Sequence, residues 1–221
     1  MESRIQEAIR YLGYGRNAVD QETLDMVSEA FLQLDQCAKK RSVCRIFQLE
    51  QMADDRFKIG KLDVKSKGLG KNLKGCSSVA VFGATLGIEV DRLIQRSFVR
   101  NMAKAVVVQA CAAAYLEEYC DQIQEELRRE KEKEALYLRP RFSPGYGDFS
   151  IEYQRPIVQM LDAAKKIGLT LTDSCMMVPS KSVTAVIGIS PVKGFCRTEG
   201  CEACEKKDCP YRRSLGQGRE T

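Results

Sequence analysis

Residues 139–189 read RPRFSPGYGDFSIEYQRPIVQMLDAAKKIGLTLTDSCMMVPSKSVTAVIGI, and the fold turns on how they are read. The stretch opens on an irregular loop, Arg141-Phe142-Ser143-Pro144-Gly145-Tyr146-Gly147. Pro144 removes a backbone donor, and the two glycines permit backbone angles or close approaches that other residues resist. Such a loop buries little apolar surface, yet it holds an arginine and a tyrosine at fixed offsets from a rigid turn. Asp148 or Ser150 can cap the helix that follows, in which Tyr153, Ile157, Met160, Leu161, Ala164 and Ile167 fall on one face. Gly168 reads as the stop of that helix. A second turn at Pro179-Ser180 leads into a strand over 182–189, rich in β-branched residues.

Upstream, residues 1–13 predict a short amphipathic helix with Ile5, Ala8, Ile9 and Leu12 on one side. A longer helix is expected over 20–40, with Leu24, Val27, Phe31, Leu34 and Ala38 at helical spacing. Cys37 and Cys44 flank its end and read as buried small hydrophobes. Residues 42–50 have the composition of a strand, and a weaker strand is expected around 59–64. Gly68 and Gly70 suggest a mobile connection from there to a short apolar strand at 79–82. Helical pattern resumes at Asp91, and 101–134 read as one or two long helices, small-residue-rich at first and charged at the end. Neither Gly-x-Gly-x-x-Gly nor Gly-x-x-x-x-Gly-Lys occurs, which argues against a Rossmann or P-loop site. Strands and helices alternate without a βαβ rhythm, so the expected class is α+β with a largely antiparallel sheet.

The 221 residues suffice for one sizeable domain, or for one domain with an appendage. No apolar run reaches membrane-spanning length, and MESRIQEAIRYLGYG lacks an apolar signal core, so a cytoplasmic placement is expected. In that setting the ten cysteines read as reduced thiols or metal ligands rather than a disulfide scaffold. Histidine is absent, which excludes histidine triads, imidazole-ligated zinc hydrolase sites and histidine general bases. The net charge of +5 is uneven: residues 56–74 hold seven basic residues against Asp63 alone, a local +6 that leaves −1 elsewhere. This run is either a docking surface for an acidic partner or a solvated hairpin beside the core. Only Phe57 interleaves it with an aromatic, which weakens a nucleic-acid reading, and none is expected.

Arg-x-x-x-Gly-Tyr (Arg141 to Tyr146), a helix ending Lys165-Lys166-Ile167-Gly168, Leu171-Thr172-x-Ser174 and Pro179-x-x-Ser182-Val183 follow one another in this order. Together they resemble the activation domain of cobalamin-dependent methionine synthase, and the likeness continues upstream over 79–127. The resemblance implies a curved antiparallel sheet with helices packed around it. It implies that Arg141 contacts the carboxylate of S-adenosylmethionine, with the backbone of Ser143, Pro144 and Gly145 adding contacts. A guanidinium suits that task, since its donors form a fixed fork. It further implies a catalytic position for Tyr146, between methyl donor and cobalt, and places Glu118, in Leu116-Glu117-Glu118-Tyr119, near the donor. The same residues also suit plainer roles: a loop-bracing arginine, a half-buried tyrosine, a solvated glutamate. Relatives carry Arg-Pro-x-Pro-Gly-Tyr and a tryptophan before the later proline, where this chain has Phe142 and Val178.

The resemblance does not cover the tail, where Cys196, Cys201, Cys204 and Cys209-Pro210 place four thiols within fourteen residues. Thiolates so spaced can surround one soft metal or cluster. The first three copy the C-x4-C-x2-C spacing of plant-type ferredoxins, and Cys-Pro closes many bacterial cluster motifs. Iron–sulfur and zinc are both open, with a lean to iron–sulfur because the implied chemistry needs an electron. The expected organisation is therefore an activation-domain-like body over 1–193 and a cysteine-rich metal-binding tail over 194–221. The implied function is reductive reactivation of a corrinoid methyltransferase, with S-adenosylmethionine as methyl donor. Without histidine the Asp-x-His-x-x-Gly cobalt-ligating signature is missing, so the cobalamin is expected on a partner methyltransferase and the electron from a separate donor. A docking module without chemistry and an iron–sulfur electron-transfer accessory are the alternatives.

Overall fold

A computed structural model describes residues 2–14 and 17–193. In chain order its elements are α1 (Glu2–Tyr11), α2 (Gln21–Cys37), β1 (Arg41–Gln51), β2 (Arg56–Ile59), β3 (Leu62–Lys65), α3 (Lys67–Asn72) and β4 (Ser78–Thr85). They continue with α4 (Ile88–Arg100), α5 (Met102–Glu132), β5 (Tyr137–Leu138), a single 3-10 turn (Ile151–Tyr153), α6 (Gln154–Leu161) and α7 (Ala163–Ile167). The hairpin β6 (Thr170–Leu171) and β7 (Met177–Val178) and the strand β8 (Ser182–Ser190) follow. The described residues divide into two compact units, 2–38 with 89–118, and 39–88 with 119–193.

The first unit is helical. Asp20 caps α2 by accepting the Thr23 backbone N–H at 2.8 Å, as its short carboxylate side chain and extended backbone favour. Val27, Ala30, Phe31 and Leu34 bury one face of α2, and Val90, Ile94, Ala105, Val108 and Ala112 are buried on α4 and α5. Arg4 pairs with Asp35 at 3.0 Å and lies over the rings of Phe31 and Tyr115. Tyr115 donates to Asp35 at 2.7 Å, and burial first, then that hydrogen bond, push its hydroxyl up to about 12.

The second unit is built on a six-stranded sheet of order β3-β2-β1-β4-β8-β5, antiparallel throughout. The α+β class and the antiparallel sheet expected from sequence are thus present. β4 lies at the centre because nearly every residue of SVAVFGAT is apolar or small, which suits burial on both faces. Period-two alternation sends Val43, Val79, Val81 and Val186 to one face, where they meet Ile157 and Leu161 of α6, Ala163 and Ile167 of α7, and Leu169. Each fully buried Leu or Ile contributes about 1.5–3 kcal/mol by transfer from water. Gly168, in the left-handed region at φ 71, ends α7 as expected, but the single helix read over this stretch is broken at Asp162, also left-handed at φ 53.

Four sequence expectations change here. Residues 66–72 are not a mobile connection: Ser66 caps α3, its hydroxyl accepting the Leu69 N–H at 3.1 Å. The weak strand expected around 59–64 is two strands, Ile59 pairing with Leu62 across Gly60-Lys61. Cys44 is exposed and Cys37 half-buried, rather than both buried. Cys44 follows the buried Val43 on β1, so the pleat turns it away from the face packed by α6 and α7. Helix α4 also begins at Ile88, three residues before Asp91.

The basic run spans β2, β3 and α3. Phe57, Ile59, Val64, Leu69 and Leu73 are buried, while Arg56, Lys61, Lys65, Lys67, Lys71 and Lys74 are exposed. The run is therefore a hairpin and short helix whose inner side joins the core and whose exposed outer side is basic, as either a solvated hairpin or a docking surface would be.

Candidate functional site

The loop that carries Arg141 is an outgrowth of the sheet edge. β5 pairs Tyr137 with Ser190 and Leu138 with Ile189, and the Arg139 N–H continues the ladder to the Gly188 carbonyl at 2.8 Å. Phe142 then exchanges both backbone hydrogen bonds with Val186, each at 2.9 Å. Pro140 and Arg141 therefore lie opposite Ile187 alone, a two-against-one register that is a β-bulge. Pro140 has no N–H to leave unsatisfied there, and a bulge re-aims the side chain that it carries. Close packing holds the ladder in place: a Cβ on Gly188 would come within 2.6 Å of Cys76 Sγ and 2.9 Å of both Leu73 Cδ2 and Arg139 Cγ.

Beyond Phe142 the chain turns sharply. Tyr146 N–H donates to the Ser143 carbonyl at 3.2 Å, with Pro144 and Gly145 (φ 95) at the central positions, the residue pair that a type II turn requires. Gly145 N–H reaches the Phe149 carbonyl at 2.7 Å and closes the loop on itself. Pro144 is buried and Ser143 half-buried, while Gly145 and Tyr146 are exposed, Tyr146 at 64%. The Tyr146 ring meets Phe142 edge-on at 6.3 Å, and Phe142, Phe149 and Tyr153 continue as an aromatic row beneath it, at 6.2 and 5.2 Å. Among the described residues the Tyr146 hydroxyl has no hydrogen-bond partner.

Asp148 fixes this loop from the far side. It does not cap the helix that follows: Ser150 caps the 3-10 turn Ile151–Tyr153, its hydroxyl accepting the Glu152 N–H, and α6 beyond it has no side-chain cap. Its carboxylate instead accepts the Ser66 hydroxyl at 2.7 Å, the Gly68 N–H at 3.0 Å and the Lys67 N–H at 2.6 Å, at the start of α3. The Ser66 hydroxyl first, and then the two N–H groups, hold its carboxyl below the usual carboxylate range. Gly68 permits the approach, since a Cβ there would sit 2.9 Å from Asp148 Oδ1.

Arg141 extends its guanidinium to Asp121, on the second-unit part of α5, with Nη2 2.8 Å from Oδ1. Its side chain is 20% exposed and that of Asp121 55%. The arginine thus already holds a carboxylate at charge-assisted hydrogen-bonding distance. Of the residues expected at the site, Arg141, Ser143, Pro144, Gly145 and Tyr146 form this one loop. Glu118 belongs to the helical unit, where Arg4 Nη1 lies 3.9 Å from it. Asp121 and Asp148 escaped the sequence reading: nothing local marks Asp121 as the partner of a residue twenty positions later, and Asp148 looks like the cap of its own helix. Cys196, Cys201, Cys204 and Cys209 lie outside the described residues. Among the described residues no group of three or more Cys, Asp or Glu could hold a metal ion, and no helix is long and apolar enough to cross a membrane.

Comparison with known proteins agrees with this architecture. The crystal structure of the MetH reactivation domain bound to AdoHcy superposes with a TM-score of 0.61 at 17% identity, covering 86% of this chain and 78% of that one. No curated protein matches the sequence. The family model for the activation domain of vitamin B12-dependent methionine synthase matches residues 63–199, more than half of the chain, and includes the bulge, the Pro-Gly turn and β8. The chain belongs to the vitamin B12-dependent methionine synthase activation domain family.

Proposed function

We propose that this protein reactivates a corrinoid methyltransferase by binding S-adenosylmethionine as the methyl donor for cob(II)alamin held on a partner. The observation that carries the reading is Arg141, raised on a bulge beside a Pro-Gly turn and already engaged with a carboxylate at 2.8 Å. A group that holds the Asp121 carboxylate has the chemistry to hold the carboxylate of the donor's amino-acid end. The backbone of Ser143, Pro144 and Gly145 lines the same turn, and Tyr146 presents an exposed ring where a flat corrin face can meet it. The related MetH domain is described with AdoHcy bound, the product that methyl transfer from such a donor leaves.

Bound S-adenosylmethionine supplies the methyl group. The balance is one cob(II)alamin, one electron and one S-adenosylmethionine giving methylcobalamin and S-adenosylhomocysteine. This chain contributes orientation: Arg141 anchors the donor, Asp148 and the sheet edge keep the loop rigid, and Tyr146 faces outward. No nucleophile or general base from this chain is required. The cysteines at 196, 201, 204 and 209 supply a soft, four-thiolate set suited to an iron–sulfur cluster or zinc.

Calorimetric titration of the anaerobically purified protein with S-adenosylmethionine tests the reading. Arg141→Ala removes a charge-assisted contact and is expected to weaken binding roughly ten- to hundredfold. No binding by the native protein, alone or with a cobalamin-loaded methyltransferase, would overturn the proposal. It would leave the second reading, a docking module. That reading is favoured by the exposed basic side chains at 56, 61, 65, 67, 71 and 74, none of which forms an ion pair among the described residues.

A further inference from the structure

We infer that Asp121 is a built-in counter-ion that occupies Arg141 until a ligand carboxylate displaces it, so that this chain restrains its own donor affinity. The inference rests on the reading of Arg141 as the donor's carboxylate anchor. Asp121 Oδ1 sits 2.8 Å from Arg141 Nη2, the distance that a ligand carboxylate would itself adopt. The two side chains are unequally held. Arg141 is only 20% exposed and rises from a bulge pinned on both sides to β8, whereas Asp121 is 55% exposed on a helix. When a second carboxylate approaches, the guanidinium therefore stays and Asp121 swings into water, where its charge is well solvated.

This arrangement has two consequences. The guanidinium remains oriented and charge-compensated while the donor is away, which keeps the loop ready. Binding, in turn, must break an existing ion pair, which lowers affinity by whatever that pair contributes. Exposed pairs measured elsewhere contribute 0.2–1 kcal/mol, so relief of the competition is worth about a 1.4- to fivefold gain in affinity. The sign separates this from a bulk charge effect. S-adenosylmethionine carries a net positive charge, so loss of a nearby anion by itself would weaken its binding, not strengthen it.

The test compares native protein and Asp121→Asn by calorimetry with three probes: S-adenosylmethionine, S-adenosylhomocysteine and decarboxylated S-adenosylmethionine. The substitution preserves side-chain shape on an exposed helix position, and a thermal melt checks that the fold is kept. The expected result is tighter binding of the two carboxylate-bearing probes to the variant, by about 1.4- to fivefold, with no gain for the decarboxylated one. Binding by the variant alone, where the native protein binds only in the presence of a cobalamin-loaded methyltransferase, supports the inference in the same way. Equal or weaker binding of the carboxylate probes to the variant, or a gain shared by the decarboxylated probe, overturns it while leaving the reactivation reading intact. If neither protein binds any probe, alone or with a cobalamin-loaded methyltransferase, the reactivation reading fails and takes the inference with it.

Discussion

Arg141 and Asp148 show how little of a loop's chemistry lies in its own sequence. Arg141 is aimed by a bulge and answered by Asp121, while Asp148 is spent on Ser66, Lys67 and Gly68, about eighty residues away. Because those bonds favour the ionised carboxylate, the folded Asp148 has a lower pKa than the unfolded one. Its contribution to stability is therefore fully present above the ordinary carboxylate value of about 4 and is lost as pH falls through the lowered value. Asp148→Asn is expected to be less stable than the native protein at neutral pH. The gap should narrow as pH falls below about 4, as urea melts between pH 7 and 3 would show. A constant gap would mean that the clamp does not depend on charge. From sequence, the arginine and tyrosine stood out because the Pro-Gly turn set their spacing. Their partners did not, because ion pairing and capping across 20 or 80 residues leave no local periodicity.

At the scale of elements, the strands and long helices were legible where burial imposes a period. β4 and β8 announce themselves as apolar runs, and α2 by Val27, Phe31 and Leu34 at helical spacing. α3 was missed because KGLGKN holds two glycines and an asparagine, residues of low helix propensity. It is helical because Ser66 caps it and Leu69 buries against the sheet unit's core. The break between α6 and α7 was missed for a similar reason, since Asp162 interrupts an apolar stripe that continues on either side. The tightest joint is β8 against the loop strand at Gly188, where three neighbours leave no room for a Cβ. Gly188→Ala is expected to lose about 1–3 kcal/mol of stability by overpacking. It should also weaken S-adenosylmethionine binding, because displacement of Arg139 disturbs the bulge two residues before Arg141. A denaturant melt paired with the titration checks both; a stable variant with native affinity would show that the joint is more yielding than its packing implies.

On the scale of the whole molecule, the family match covers residues 63–199, and three of the four clustered cysteines lie past its end. Metal analysis of the anaerobically purified protein is expected to find zinc or iron in proportion to chain, and an absorption band in the visible if it is an iron–sulfur cluster. Substitution of Cys201 and Cys204 by Ser should abolish that content and leave the S-adenosylmethionine titration unchanged. Metal-free native protein would remove the electron-transfer role from the tail.

The sequence by itself determined the α+β class, the strands β1, β4 and β8, the long helices and the turn that spaces Arg141 and Tyr146. These rest on residue type and spacing, which act over a few neighbours through burial and turn chemistry. Only the tertiary structure decided that Arg141 rides on a bulge, that Asp121 answers it, that Asp148 locks the loop to α3, and that the basic run is the exposed outer side of a hairpin and short helix whose apolar residues join the core. Those facts depend on which distant segments the sheet register brings within hydrogen-bonding distance, and that register is set by the packing of both faces at once rather than by any one stretch of chain.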